Sequence, residues 1–114
     1  MNYRIEISSI AEAEADSAFL RLSQIYSSVK ASQWYTGLLE AIASLSQMPK
    51  RCPLARENEH FSQELRQLLY GRGHNAYRVI FTVLEGQNIS TIRILHIRHA
   101  YQQTIGEDPE SDET

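Results

Sequence analysis

Apolar and charged residues alternate near the start of the chain. In Tyr3-Arg4-Ile5-Glu6-Ile7 the odd positions are apolar, the period of a half-buried strand with Tyr3, Ile5 and Ile7 on one face. Ser8-Ser9 interrupts it. Ser9-Ile10-Ala11-Glu12 then has the form of a capping box, in which the serine hydroxyl accepts from an orphan amide and the glutamate reaches back. The period lengthens from there. Ala15, Ala18, Phe19, Leu22, Ile25 and Tyr26 recur at helical spacing and predict a helix ending near Ser27-Ser28. A second helix is predicted from about Ala31 to Gln47, with Trp34, Leu38, Ile42 and Leu45 in one stripe, and Pro49 stops it. The short break between the two predicts an antiparallel helical hairpin.

Residues 49–63 carry two prolines and no period, so they read as a long connection with a helical turn around Glu59 to Ser62. A connection of this length in a compact domain is often functional. Three strands follow: Leu65–Tyr70, Ala76–Glu85 and Ile89–Arg98, with turns at Gly71–Asn75 and Glu85–Asn88. Tyr77, Val79, Phe81 and Val83 share one face of the middle strand, and Arg78, Ile80, Thr82 and Leu84 the other. Both faces are largely apolar, as in a central strand covered on one side and partly on the other. The expected fold is therefore α+β: a small, mainly antiparallel sheet in the order β-α-α-β-β-β, with the helical hairpin on one face and the first strand inserted beside the later ones. From Gly106 the composition turns polar and acidic, so the expected organisation is one domain over residues 1–105 and a disordered acidic tail over 106–114.

Charge changes this picture more than length does. The 114 residues carry a formal net charge of −3, yet Glu107 to Thr114 holds five acids and no base, leaving nine acids against eleven bases in the remainder. From Arg66 to Arg98 there are five arginines and one acid, Glu85, with His74, His96 and His99 in or beside the stretch. A basic second half of the fold points to an anionic partner, nucleic acid or an acidic protein segment; chance clustering on an ordinary surface is the plain alternative. One cysteine, Cys52, excludes an internal disulfide and suggests a reducing cytoplasm. No stretch has the pattern of a signal peptide or the length of a bilayer span, so no membrane role is expected.

No zinc spacing, phosphate-cradling glycine loop or paired catalytic acids are present, so neither metal nor cofactor is expected. Cys52 follows Arg51, and a basic neighbour lowers a thiol pKa, but nothing places a histidine base beside it. The set that suggests chemistry is Arg66, Arg72, Arg78, Arg98, His99 and Tyr101. With a hairpin turn near Glu85–Asn88, Arg78 and Arg98-His99 meet at one end of the sheet, and Arg66 on the preceding strand joins them. Guanidinium groups with an imidazole and a phenol suit phosphodiester chemistry, the arginines holding phosphate and His99 or Tyr101 moving a proton. They equally suit passive binding of a phosphate or an acidic peptide. The plain alternative is that the arginines solvate strand ends while His96 and His99 pack.

Several segments together resemble the RelE/ParE toxin superfamily of type II toxin–antitoxin systems, which includes plasmid-stabilisation proteins. They are Tyr3 to Ile7, Leu38 to Ile42, Met48 to Ala55, Glu64 to Gly71, Tyr77 to Phe81 and Ile94 to His99. The resemblance implies a small sheet with a helical hairpin, growth inhibition, and neutralisation by a cognate antitoxin, as a hetero-oligomer or alongside a homodimer. It implies one of two targets. RelE-like members cut mRNA in the ribosome without a metal; on that branch Arg78 and Arg66 would act on phosphate, and His99 or Tyr101 in proton transfer. ParE-like members bind and poison DNA gyrase and are not enzymes in that act. Leu68 stands where RelE-like sequences tend to have a lysine, and the long connection resembles the ParE branch more, so the expectation leans to gyrase. On either branch Arg66, Arg72, Arg78 and Arg98 would form the target- or anion-binding surface. A third expectation is a degenerate, non-toxic member that acts only in binding.

Overall fold

A computed structural model describes residues 3–101. The acidic segment expected as a tail lies outside the described residues. The elements are β1 (Tyr3–Ile7), α1 (Ser9–Ile25), α2 (Ser28–Ala43), β2 (Arg66–Tyr70), β3 (Tyr77–Leu84) and β4 (Ser90–His99). The four strands form one mixed sheet in the order β1-β4-β3-β2. β2, β3 and β4 are antiparallel neighbours, whereas β1 runs parallel to β4 from Tyr3↔Ser90 to Ile7↔Ile94. Insertion of β1 beside a later strand is thus as expected; its parallel sense was not legible in the strand pattern.

The helical hairpin covers one face of the sheet. Ala11, Ala15 and Ala18 of α1 and Leu38 and Ile42 of α2, with Leu45 beyond it, pack on Val79, Phe81, Ile92, Ile94 and Ile97. Alanines on the inner stripe of α1 let that helix lie close to the strands. Ile25 and Tyr26 continue the helical spacing but stand 57% and 52% exposed. They sit where α1 ends and the hairpin turns, so periodicity alone overstated the buried stripe.

The helix ends also differ in detail from the sequence reading. The N-cap of α1 is Ser8, whose side chain accepts from the Ala11 amide at 3.0 Å. Ser8 Oγ also donates to the Leu95 carbonyl at 3.1 Å, so a contact with β4 selects it over Ser9 as the cap. The helix α2 begins at Ser28, capped by Ser27, three residues before the expected start. It gives way to a 3-10 turn at Ser44–Ser46, which keeps Leu45 buried in the stripe.

The second face of the sheet is covered by the connection that follows Pro49. Leu54 bridges to Arg66, the Gln67 amide donates to the Pro53 carbonyl at 3.0 Å, and the Ala55 amide to the Leu65 carbonyl at 2.8 Å. Asn58 Oδ1 accepts from the Leu65 amide at 2.8 Å, which closes the segment into a compact loop. Ala55 and Leu65 then form a small second core with Ile80 and Leu95. The expected helical turn is present as a 3-10 turn at Asn58–His60. No described helix is long and apolar enough to cross a membrane.

Candidate functional site

Arg78 and Arg98 are direct register partners on β3 and β4, so they do meet at one end of the sheet. Their surroundings differ from an open anion surface. Arg78 is only 2% exposed. Its Nη1 donates to Glu57 Oε1 at 2.9 Å and its Nη2 to Glu57 Oε2 at 2.6 Å, while Nη1 also reaches Gln67 Oε1 at 3.0 Å. Glu57, fully buried, comes from the covering loop. A charge buried in an apolar strand needs such a counterion, because desolvation otherwise costs several kcal/mol. Arg98 stands beside this pair, and its Nε is buried with no acceptor among the described residues.

Arg66 does not join them. It pairs with Phe81, three positions along β3 from Arg78, and alternation puts it on the helical side of the sheet. There its Nη1 donates to the Cys52 carbonyl at 2.6 Å, and Glu64 Oε1 lies 3.0 Å from Nη2. It fastens the connection after Pro49 to β2. Arg72 is exposed and precedes the 3-10 turn Gly73–Asn75. The expected cluster is therefore divided: Arg78 with Arg98 on the loop-covered face, Arg66 on the other, and Arg72 in a turn. Cys52 is also unlike the sequence expectation. Burial pushes its thiol pKa up, and this outweighs the lowering by Arg51 and Arg66.

His99 and Tyr101 lie on the helical side, in an aromatic array. The Tyr77 and His99 rings are 5.2 Å apart, His99 and Tyr101 5.5 Å, and Trp34 and Tyr77 5.1 Å. Arg21 of α1 donates to the Tyr77 hydroxyl, and its guanidinium carbon lies 5.9 Å from that ring centre. This array closes one end of a groove of about 620 Å³ between α1 and β4. Small residues line its floor on α1, namely Ala13, Ser17 and Ala18, with Ile10, Ile97 and Glu14 beside them.

The groove exists because β1 is short. Its pairing with β4 stops at Ile94, where the Ser8 amide donates to the Ile94 carbonyl at 2.9 Å, while β4 continues to His99. Past that point a side chain stands in for a neighbouring strand. Glu14 Oε1 accepts from the Ile97 amide at 2.9 Å and lies 3.2 Å from His96 Nδ1. Sequence reasoning missed Glu14 and Arg21, which read as the solvated face of an amphipathic helix. No group of His, Cys, Asp or Glu among the described residues is arranged to hold a metal ion.

The comparisons with known proteins agree with this architecture. The family described as "ParE toxin of type II toxin-antitoxin system, parDE" matches residues 5–103. A solved structure titled "Chromosomal ParDE TA system from P. aeruginosa" superposes with a TM-score of 0.66 at 20% identity, covering 85% of this chain and 95% of that one. At that identity the likeness is one of fold. No curated protein sequence matches.

Proposed function

Because this chain belongs to the ParE toxin family of type II toxin–antitoxin systems, we propose that it inhibits growth by binding and poisoning DNA gyrase in the cytoplasm, and that a cognate antitoxin neutralises it. The observation that favours binding over mRNA cleavage is the engagement of the arginines. A nuclease needs guanidinium groups aimed at a phosphate as charge grows on it. Here the Arg78 guanidinium is held by Glu57 inside the fold, and Arg66 is tied to the Cys52 carbonyl on the opposite face. Neither faces His99 and Tyr101 across a common cleft, so the four residues do not make one catalytic constellation.

The antitoxin reading is supported by the groove between α1 and β4. A β-strand edge beside an apolar-floored cleft suits an extended or amphipathic segment, which gains main-chain hydrogen bonds and side-chain pockets together. Arg21 at its end favours an acidic residue in that segment.

The test is induction of the chain in cells without antitoxin, with DNA breaks and mRNA ends mapped in parallel. Growth arrest with gyrase-linked breaks, absent in cells carrying a resistant gyrase, is the expected result. Cleavage within translated mRNA, without such breaks, would replace this reading with the nuclease one. Normal growth at full expression of folded protein would leave only a non-toxic binding role.

A further inference from the structure

The cations of this fold divide by position. Arg4, Lys50, Arg66, Arg78 and Arg93 each reach a carboxylate, on Glu6, Glu85, Glu64, Glu57 and Glu6 in turn. Arg21, Lys30 and Arg72 form no ion pair among the described residues. These three belong to one end of the molecule. Arg21 donates to the hydroxyl of Tyr77, where β3 starts. Lys30, in the first turn of α2, shares a cleft with Leu22, Tyr26, Trp34 and Asn75. Arg72 precedes the turn that carries Asn75, whose Nδ2 donates to the Tyr26 hydroxyl at 3.1 Å. That bond ties the tip of the helical hairpin to the β2–β3 connection. The stretches that build this end, Ser17 to Leu39 and Leu65 to Leu84, contain no acid.

Aromatic rings are interleaved with these cations. Tyr26 is exposed over half its surface and held by Asn75, and with Trp34 it lines the cleft of about 230 Å³ that Lys30 borders. Cations without counterions around an aromatic cleft match a ligand that carries phosphates and a flat ring together. An acidic peptide would neutralise the cations and leave the cleft unused. A nucleic-acid duplex offers phosphates but keeps its base faces stacked. A single strand offers both, because its bases are free to turn onto a tyrosine or tryptophan ring.

We propose that this end of the molecule, from the hairpin tip to the β2–β3 connection, binds single-stranded nucleic acid. One base lies against Tyr26 and Trp34 in the cleft, the neighbouring phosphates meet Lys30 and Arg72, and Arg21 adds to the positive field. This does not rest on the gyrase reading, since no step of it involves the toxin's protein target.

The experiment titrates the full chain into labelled oligothymidylate of about twelve nucleotides and follows fluorescence anisotropy between about 50 and 200 mM salt. Oligouridylate is run in parallel to tell DNA from RNA as the source, and binding of either strand carries the proposal. With three cations engaged, log K falls against log salt with a slope of about −2. Lys30→Gln with Arg72→Gln should flatten that slope by about 1.4. Lys50→Gln with Arg93→Gln removes the same charge from cations that already have acidic partners, and should leave the slope unchanged. Tyr26→Ala should weaken binding about tenfold. Tyr26→Phe keeps the ring and loses only the hydroxyl bonded to Asn75, so it should bind as the natural chain does. That split separates stacking from mere support of the turn. Failure of both strands to bind overturns the proposal, as do equal slopes for the two double variants, or a Tyr26→Phe chain as weak as Tyr26→Ala. Displacement of the strand by polyglutamate, charge for charge, also overturns it and makes this end an acidic-peptide surface instead.

Discussion

Arg78 Nη2 stands 2.6 Å from Glu57 Oε2, and both side chains are almost wholly removed from water, at 3% and 0% exposure. Removing one member leaves an uncompensated buried charge. Glu57→Ala is therefore expected to cost roughly 3–5 kcal/mol in urea unfolding, whereas Glu57→Leu combined with Arg78→Met should recover most of that loss. The same pair complicates toxicity screens. An inactive Arg78 variant has lost a structural strut, so circular dichroism of each variant must accompany any assay of growth arrest.

Tyr70 crosses from β2 to α2 and donates from its hydroxyl to the Trp34 carbonyl at 2.8 Å. Gly37 permits that crossing, since a Cβ there would lie 2.1 Å from the Tyr70 hydroxyl oxygen. Gly37→Ala should destabilise by about 1–3 kcal/mol through overpacking, despite its better helix propensity. In a Tyr70→Phe background the same substitution should cost clearly less, because the clashing atom is gone. Equal costs in both backgrounds, measured by thermal unfolding, would contradict this contact.

The two candidate caps of α1 can be separated directly. Ser8→Ala removes both the hydrogen bond from the Ala11 amide and the one to the Leu95 carbonyl. It should cost about 1–2 kcal/mol, against less than about 0.5 kcal/mol for Ser9→Ala. Chemical denaturation of the two single variants provides the comparison.

Cys52 should be inert in the native state. Its thiol pKa is raised by burial from an ordinary value of 9.0. The native chain then holds that proton more tightly than the unfolded one does. The contribution is fully present below pH 9 and is lost as pH rises through the folded value, so stability from this group falls only above about pH 9. Thiol labelling at pH 8 should be slow and should accelerate with urea in step with unfolding; fast labelling of folded protein would refute the burial.

Glu14 is expected to hold the open part of β4 in place. Glu14→Ala should speed exchange of the Ile97 amide by about tenfold, whereas Glu14→Gln, which retains an oxygen acceptor, should change it little. Amide exchange read by NMR distinguishes the two.

The sequence carried most of the fold because most of it is periodic. The stripe Trp34, Leu38, Ile42, Leu45 and the two-sided pattern of β3 each follow from burial against a regular element. What it hid depends on contacts between distant segments. Glu57 sits in a stretch with no period, and it is buried because the loop folds back on β2 through the Ala55–Leu65 hydrogen bond. The available clue was Arg78 itself, a charge in a strand apolar on both faces, which requires a carboxylate from somewhere. Glu14 and Arg21 look like solvent-facing helix positions until β1 is seen to stop at Ile7 and leave β4 uncovered beyond it. Arg66 lies on the strand next to Arg78, but a three-residue offset in register puts it on the other face.

The parallel alignment of β1 with β4, Tyr3 against Ser90, also has a temporal meaning. The strand made first by the translating machinery has no neighbour until nearly the whole domain has been synthesised. Helices α1 and α2 can form early from local contacts, but the sheet closes on its N-terminal edge last. A nascent chain cut short before Ser90 therefore lacks the groove between α1 and β4, and the molecule reaches its competent shape only as one late event.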